Sequence, residues 1–254
     1  MPDGISGKAA LVTGAASGIG AATARWLDRQ GIGRLHLVDR DAKGMAALDL
    51  SCPAERLEGD VTDPTFWRDI EDSVEQLDFA VINAGIAGGA PIVEQGFSEW
   101  RQILGVNLDG AFLTLATALR LIAKGDSGGS VVLLASVAGI KPTAGAAAYG
   151  CSKAAIAHLA RVAAQEHAAE GIRVNAIAPG GVDTPIWETQ EWFTGAVEAF
   201  GSRAATMDSM AKDSVPMGRF QSADEIAAQI GFLLSGASGT ITGTVLVSDG
   251  GYTL

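Results

Sequence analysis

The 254-residue chain predicts an α/β fold, one doubly wound parallel sheet of about seven strands with helices on both faces. Three observations carry this expectation. Seven short, nearly continuous apolar runs alternate with stretches of helical apolar spacing, the pattern of a parallel sheet covered on both sides. Most of those runs end in Gly, Asp, Asn or Ser, the small and polar residues that line a crevice at the carboxyl ends of parallel strands. The composition, 48% hydrophobic with 33 glycines and 6% aromatics and no internal repeat, suits one sizeable core with helices packed close to a sheet. A single domain over residues 1–254 is expected.

The first strand, Lys8–Thr13, runs into Gly14-Ala15-Ala16-Ser17-Gly18-Ile19-Gly20 and an Ala-rich helix to Gln30. Strand, glycine turn and helix form a phosphate cradle: glycines admit the anion, and the helix N-terminus meets its charge. The second strand, Arg34–Val38, ends in Asp39, nineteen residues past Gly20, where a carboxylate reaches the ribose hydroxyls of an adenosine. A 2′-phosphate there meets a like charge, which favours NAD over NADP. Arg40, next in sequence, is the basic neighbour that could turn to accept such a phosphate.

The third strand, 55–59, ends in Asp60-Val61, with Asp60 either an adenine contact or a turn residue. Asp63-Pro64 caps and opens a helix through Gln76. The fourth strand, 78–82, leads into Asn83-Ala84-Gly85. Ser98 is the expected N-cap of a long helix holding Asn107 in its interior, where an amide competes with the backbone ladder. Asn107 either supports a water by its backbone carbonyl at a slight helix distortion or is a buried, satisfied amide.

The fifth strand, 128–135, delivers Ser136, and after a loop a helix carries Tyr149 and runs to about Glu170. Tyr149 and Lys153 stand four apart and share one helix face. A free phenol has a pKa of about 10 and is a poor base at neutral pH. An ammonium about 4 Å away contributes roughly 4 kcal/mol at an effective dielectric near 20, enough to draw the phenol towards working pH. Ser136 is placed to hydrogen-bond the same substrate oxygen. The sixth strand, 172–178, runs into Pro179-Gly180-Gly181-Val182-Asp183-Thr184-Pro185. From 186 to about 216 the pattern breaks into an insertion with Trp187, Trp192, Phe193, Phe200, Met207 and Met210, which reads as a substrate lid. Trp187 and Trp192 are either packing or interface residues or a substrate wall. Ser222-Ala223-Asp224-Glu225 caps a helix through Leu234, and 242–247 is the last strand.

The net charge of −11 argues against nucleic acid or an anionic membrane surface as a partner. Cys52 and Cys151 are too few for a disulfide framework, and without a His/Cys cluster no metal site is expected. Cys151 is read as a core thiol; His36, His158 and His167 as structural or exposed. Met1–Lys8 lacks a leader pattern, and no stretch approaches the roughly 18 apolar residues that span a bilayer, so the cytoplasm is the expected compartment.

Thr13-Gly14-x-x-x-Gly18-Ile19-Gly20, Asp60-Val61, Asn83-Ala84-Gly85, Asn107, Ser136, Tyr149-x-x-x-Lys153 and Pro179-Gly180 occur in one order. In that order the chain resembles the short-chain dehydrogenase/reductase family over nearly its whole length. The resemblance implies a Rossmann-type fold, a nicotinamide cofactor and a catalytic set of Asn107, Ser136, Tyr149 and Lys153. Tyr149 exchanges a proton with the alcohol, Ser136 steadies its oxygen, Lys153 also reaches the nicotinamide ribose, and Asn107 supports a proton-relay water. Expected cofactor contacts are Gly14, Ser17, Gly18, Ile19, Gly20, Asp39, Asp60, Val61, Asn83, Ala84, Gly85, Tyr149, Lys153, Pro179, Gly180, Val182 and Thr184, with Thr184 at the carboxamide. Expected substrate contacts are Ser136, Tyr149, Trp187 and Trp192. A homotetramer with the C-terminal segment in an interface is implied as well. The reaction expected is NAD-dependent interconversion of a hydrophobic, cyclic or aromatic secondary alcohol with its ketone. The alternatives are an NADPH-dependent reductase of ketoacyl carriers or ketones, and an NAD-sensing scaffold without turnover.

Overall fold

The structure, a computed structural model, describes residues 4–125 and 127–254, so the first three residues of the N-terminal reading lie outside it. In chain order the elements are β1 (Ala9–Thr13), α1 (Gly18–Arg29), β2 (Arg34–Asp39), α2 (Ala42–Ala46), β3 (Ala54–Glu58), α3 (Pro64–Ser73) and β4 (Phe79–Ile82). Next come α4 (Phe97–Leu104), α5 (Gly110–Ala123), β5 (Gly129–Leu134), α6 (Ala147–His167) and β6 (Ile172–Pro179). The remainder is β7 (Val182–Asp183), α7 (Glu191–Phe200), α8 (Arg203–Ser214), β8 (Gln221–Ser222), α9 (Ala223–Leu234) and β9 (Val245–Ser248).

Seven strands form one parallel sheet, as the sequence predicts, and the structure sets their order as β3-β2-β1-β4-β5-β6-β9. The order reverses between β1 and β4, and a crevice opens there beyond the carboxyl ends of the strands. Successive strand residues feed opposite faces. Leu11, Val131 and Leu133 join the core under α3, α5 and α6, whereas Ala10, Val12, Val132 and Leu134 join the core under α1 and α9. Both faces are thus apolar over the central strands, which is why these read as continuous runs rather than as an alternation, whereas the edge strand β3 carries Glu55, Arg56 and Glu58.

Several local expectations need correction. Ser98 is not an N-cap: Gly96 holds that position in extended conformation, and helix α4 already includes Phe97. The helix opened by Asp63 and Pro64 stops at Ser73, because Val74 turns extended to bury itself with Leu77 in the core. Cys151 is exposed, not a core thiol. The buried stripe of α6 runs through Ala148, Ser152, Ile156 and Ala160, and Cys151 sits about 100° off it. The last strand starts at Val245 because Gly243, with φ +72°, bends the chain before it.

One continuous helix, Phe97–Ala123, has the length and apolarity of a membrane span, contrary to the expectation that no stretch approaches it. More than half of its most apolar 18 residues are buried inside the fold, against the sheet. A further pairing lies outside the main sheet: β7 runs parallel to β8 and flanks residues 184–220, the segment that contains the 186–216 insertion.

Candidate active site

The glycine turn after β1 is tightly closed. Gly14 and Gly18 adopt φ of +65° and +52°, and a Cβ on Gly20 would lie 2.0 Å from the Gly14 carbonyl oxygen. Gly20 therefore closes the loop rather than facing outward. Asn83 braces it, its Nδ2 donating to the Thr13 and Gly14 carbonyls at 2.9 and 3.1 Å. Thr13 Oγ1 in turn accepts from the backbone N–H groups of Asn83 and Ala84. Sequence reading did not assign Thr13 a role; its signal was a lone hydroxyl at the end of an apolar strand.

At the end of β2, Asp39 accepts from Ala16 N at 2.9 Å and Asp41 N at 3.0 Å, so its carboxylate is fixed beside the glycine turn. Arg40 points towards Asp60, 3.8 Å away. Asp60 also accepts from the Thr62 backbone and hydroxyl, and the backbone bond leads in holding its carboxyl below the usual value. Asp60 is thus a turn residue, and it also lines a cavity. That cavity, of about 570 Å³, brings together Gly14, Ser17, Gly18, Ile19, Asp39, Asp60, Val61, Asn83, Ala84, Gly85 and Thr184.

A second cavity, of about 630 Å³, adjoins the first along Ile19, Asn83, Gly85 and Thr184. Its wall holds Ser136, Tyr149, Lys153, Pro179, Gly180, Val182, Trp187 and Trp192. Ser136 and Tyr149 meet because the short turn Val137–Gly139 presses on the first turns of α6. A Cβ on Gly150 would lie 2.8 Å from the Ala138 carbonyl, and one on Gly139 2.6 Å from Ala154 N. Ser136 Oγ accepts from Ala138 N at 3.2 Å, which leaves its own proton free to be donated.

The electrostatics differ from the simple pair argument. The Lys153 ammonium donates to the Leu134 carbonyl at 2.7 Å and stands 5.6 Å from the Tyr149 ring centroid. Burial pushes the Tyr149 phenol above its ordinary value, and its hydrogen bond with Ser136 offsets part of that rise. Burial also brings Lys153 down to about 8. The chain's own geometry therefore keeps the phenol protonated and the ammonium poised near neutrality.

Asn107 sits at the centre of a single π-helical turn, Gly105–Asp109, between α4 and α5. It is 1% exposed, a buried and hydrogen-bonded amide at a helix distortion. Its Oδ1 accepts from Ile86 N at 2.8 Å, while Nδ2 donates to the Ile86 carbonyl and to Ser152 Oγ. Ser152, which the sequence reading passed over, donates on to the Tyr149 carbonyl at 2.7 Å. Asn107 lines neither cavity; it braces the wall from behind.

The insertion covers the second cavity. Trp187 stacks on Phe220 at 5.8 Å and 13°, donates from Nε1 to the Val182 carbonyl at 2.7 Å, and meets Trp192 edge-on at 6.0 Å. Both tryptophans are at once mutually packed and part of the wall. Met210, named with the expected lid, joins that wall, and so do Gln190, Phe220 and Tyr252, which the sequence does not single out, since only folding brings the C-terminal Tyr252 across.

A glycine-lined crevice at the sheet's reversal point, joined to a Ser-Tyr-Lys cavity, fits a class of oxidoreductase, and the chain belongs to the short-chain dehydrogenase/reductase family. Residues 14–253 match the family described as enoyl-(acyl carrier protein) reductase. A cis-4-hydroxycyclohexanecarboxylate dehydrogenase of Sinomonas cyclohexanicum is 37% identical, covering 100% of this chain and 99% of its own. A D-threitol dehydrogenase of Mycolicibacterium smegmatis is 36% identical over 98% of this chain and 94% of its own. Among solved structures, the aldohexose dehydrogenase of Thermoplasma acidophilum superposes with a TM-score of 0.88 at 28% identity, covering 100% of this chain and 96% of that one.

Proposed function

We propose that this chain, acting as one domain in the cytoplasm, oxidises a neutral, hydrophobic, cyclic secondary alcohol to its ketone with NAD. The observation that carries the reading is the junction of the two cavities: a carboxylate-ended cradle on one side, and Ser136 and Tyr149 together on the wall of an apolar cavity on the other.

The cradle suits a dinucleotide. Gly14 and Gly20 have no room for a Cβ, and the α1 N-terminus behind them offers free N–H groups to a pyrophosphate. Asp39, held by two backbone N–H groups, would take the adenosine ribose, and Thr184 the nicotinamide end. Bound NAD would supply the hydride acceptor. Tyr149, once it has released its own proton and stands as the phenolate, takes the alcohol proton while Ser136 donates to the same oxygen, steadying the charge that develops there. Lys153 contributes a buried positive charge one helical turn away, which favours the phenolate when Tyr149 must ionise. Asn107 and Ser152 hold the backbone beneath Tyr149 in place.

The substrate class follows from the wall. Among the described residues lining the second cavity, Lys153 is the one charged side chain, and it already serves Leu134. A carboxylate deeper in that cavity would lie unpaired against Trp187, Trp192, Met210 and Phe220, at a cost of several kcal/mol. The alicyclic alcohol named for the Sinomonas relative supports a ring substrate; the wall favours its uncharged counterparts.

The test is a panel of cyclic and acyclic secondary alcohols followed by NADH absorbance, with NADP in parallel. Cyclic neutral alcohols are expected to turn over with NAD, Tyr149→Phe to lose that activity, and Asp39→Ala to narrow the NAD:NADP ratio. Turnover with NADP alone, or a ratio that Asp39→Ala leaves untouched, removes the NAD assignment. The exposed Arg40 and the acyl-carrier description of the family favour one second reading, an NADPH-dependent reductase; efficient NADPH-linked ketone reduction supports it.

A further inference from the structure

Arg203 opens α8, where a cation is least at home: the first turn of a helix carries the free N–H groups and the positive end of the aligned peptide dipoles. Ser202 already caps that end, its Oγ accepting from Ala205 N. The guanidinium is therefore held by groups outside the helix. Its Nε donates to Glu188 Oε1 at 2.5 Å, its NH1 lies 2.6 Å from Asp183 Oδ1, and its NH2 donates to the Thr184 carbonyl at 3.3 Å. The Glu188 bond leads in raising its pKa above the ordinary arginine value.

All three acceptors lie within 183–188, the stretch that leaves the sheet and enters the insertion. Thr184 is 7% exposed and lines both cavities. Its side chain also faces the glycine turn, 3.4 Å from where a Cβ on Gly18 would stand. One side chain thus ties the first turn of α8 to the residue at the seam between the cradle and the Ser-Tyr cavity.

We propose that Arg203 is a latch that makes the α7–α8 cover and the nicotinamide end of the dinucleotide site open and close as one unit. This rests on the dinucleotide-binding reading above. The planar fork of an arginine serves the three acceptors together; a lysine, with a compact ammonium, serves fewer. Because Arg203, Asp183 and Glu188 keep 37%, 54% and 47% side-chain exposure, salt weakens the latch.

The experiment combines two readouts on wild type, Arg203→Met, Arg203→Lys and Glu188→Gln. One is hydrogen exchange of the protein without dinucleotide; the other is NADH release followed by stopped-flow fluorescence. Exchange in 192–214 is expected to quicken in Arg203→Met while α9, which the latch does not touch, stays protected. NADH release is expected to be roughly tenfold faster in Arg203→Met, the effect of losing two exposed ion pairs and one hydrogen bond. Arg203→Lys should fall between the two, and Glu188→Gln should shift in the same direction by less. The gap between wild type and Arg203→Met should narrow as salt rises from about 0.05 to 0.5 M. Unchanged release and exchange in Glu188→Gln, or in an Arg203→Met protein whose α9 stays protected, overturns the latch. Wild-type protein that binds no NADH overturns the dinucleotide reading beneath it.

Discussion

Lys153 is 5% exposed, with its ammonium on the Leu134 carbonyl, and its burial works against the fold. Unfolded, a lysine keeps its proton up to about pH 10.5; folded, Lys153 gives it up near 8. Between those values the unfolded chain binds more protons, so stability rises with pH across that window. Below about 8 both states are protonated, and the full burial cost is present. Lys153→Met is therefore expected to stabilise the protein by about 2 kcal/mol at pH 7, with the advantage shrinking between pH 8 and 10, while abolishing turnover. Urea unfolding across that pH range checks it, and equal or lower stability of the variant at pH 7 would contradict the account. The four-residue spacing of Tyr149 and Lys153 was readable from the sequence, but the direction of the lysine was not. Which carbonyl lies within its reach depends on how closely β5 approaches α6, a property of the packed fold.

Elements show the same division between near and far. At the start of α9, Ser222 Oγ accepts from Glu225 N at 3.1 Å, and Glu225 Oε2 accepts from Ser222 N at 2.9 Å. Arg219 forks onto the Glu225 carboxylate from outside. This box is contained in four consecutive residues and could be read directly from them. Ser222→Ala is expected to cost about 1 kcal/mol in urea unfolding; a loss below a few tenths would show that Arg219 alone fixes that helix end. Ser98 shows the limit of the same rule, since Gly96 ends the extended approach and Phe97 enters the helix before it. Asn107 betrayed itself as a poor helix residue, yet the remedy, a π-helical turn and a bond to Ser152, needed α6 at its side. The β7–β8 pair and the Arg203 contacts span gaps of fifteen to forty residues with no local signal, so only coordinates reveal them.

Across the whole molecule, the parallel sheet and its cover on both faces followed from apolar runs ended by polar residues, whereas the order of the strands came only with the packed fold. The outer surface carries its own pattern. Phe112 on α5, Val162 on α6, Phe232 on α9 and Val247 on β9 are large apolar side chains left exposed at 55%, 39%, 40% and 42%. Self-association would cover them, in keeping with the tetramer expected from the family resemblance. Light scattering is expected to give a mass about four times the 25.9 kDa of one chain, and Phe232→Glu or Val247→Glu to lower it. A 25.9 kDa particle for the unaltered protein would refute that expectation.

The short pair β7–β8 has a consequence for how such a protein can diversify. By clasping Val182–Asp183 to Gln221–Ser222, it brings the two ends of the aromatic insertion side by side, so that the main sheet is indifferent to the length of what lies between. Lengthening a loop whose ends are already joined costs only a fraction of a kcal/mol per added residue. On the proposed function, the region over the second cavity would then act as an interchangeable cassette, in which new substrate preferences could be installed without redrawing the frame that holds the tyrosine and serine.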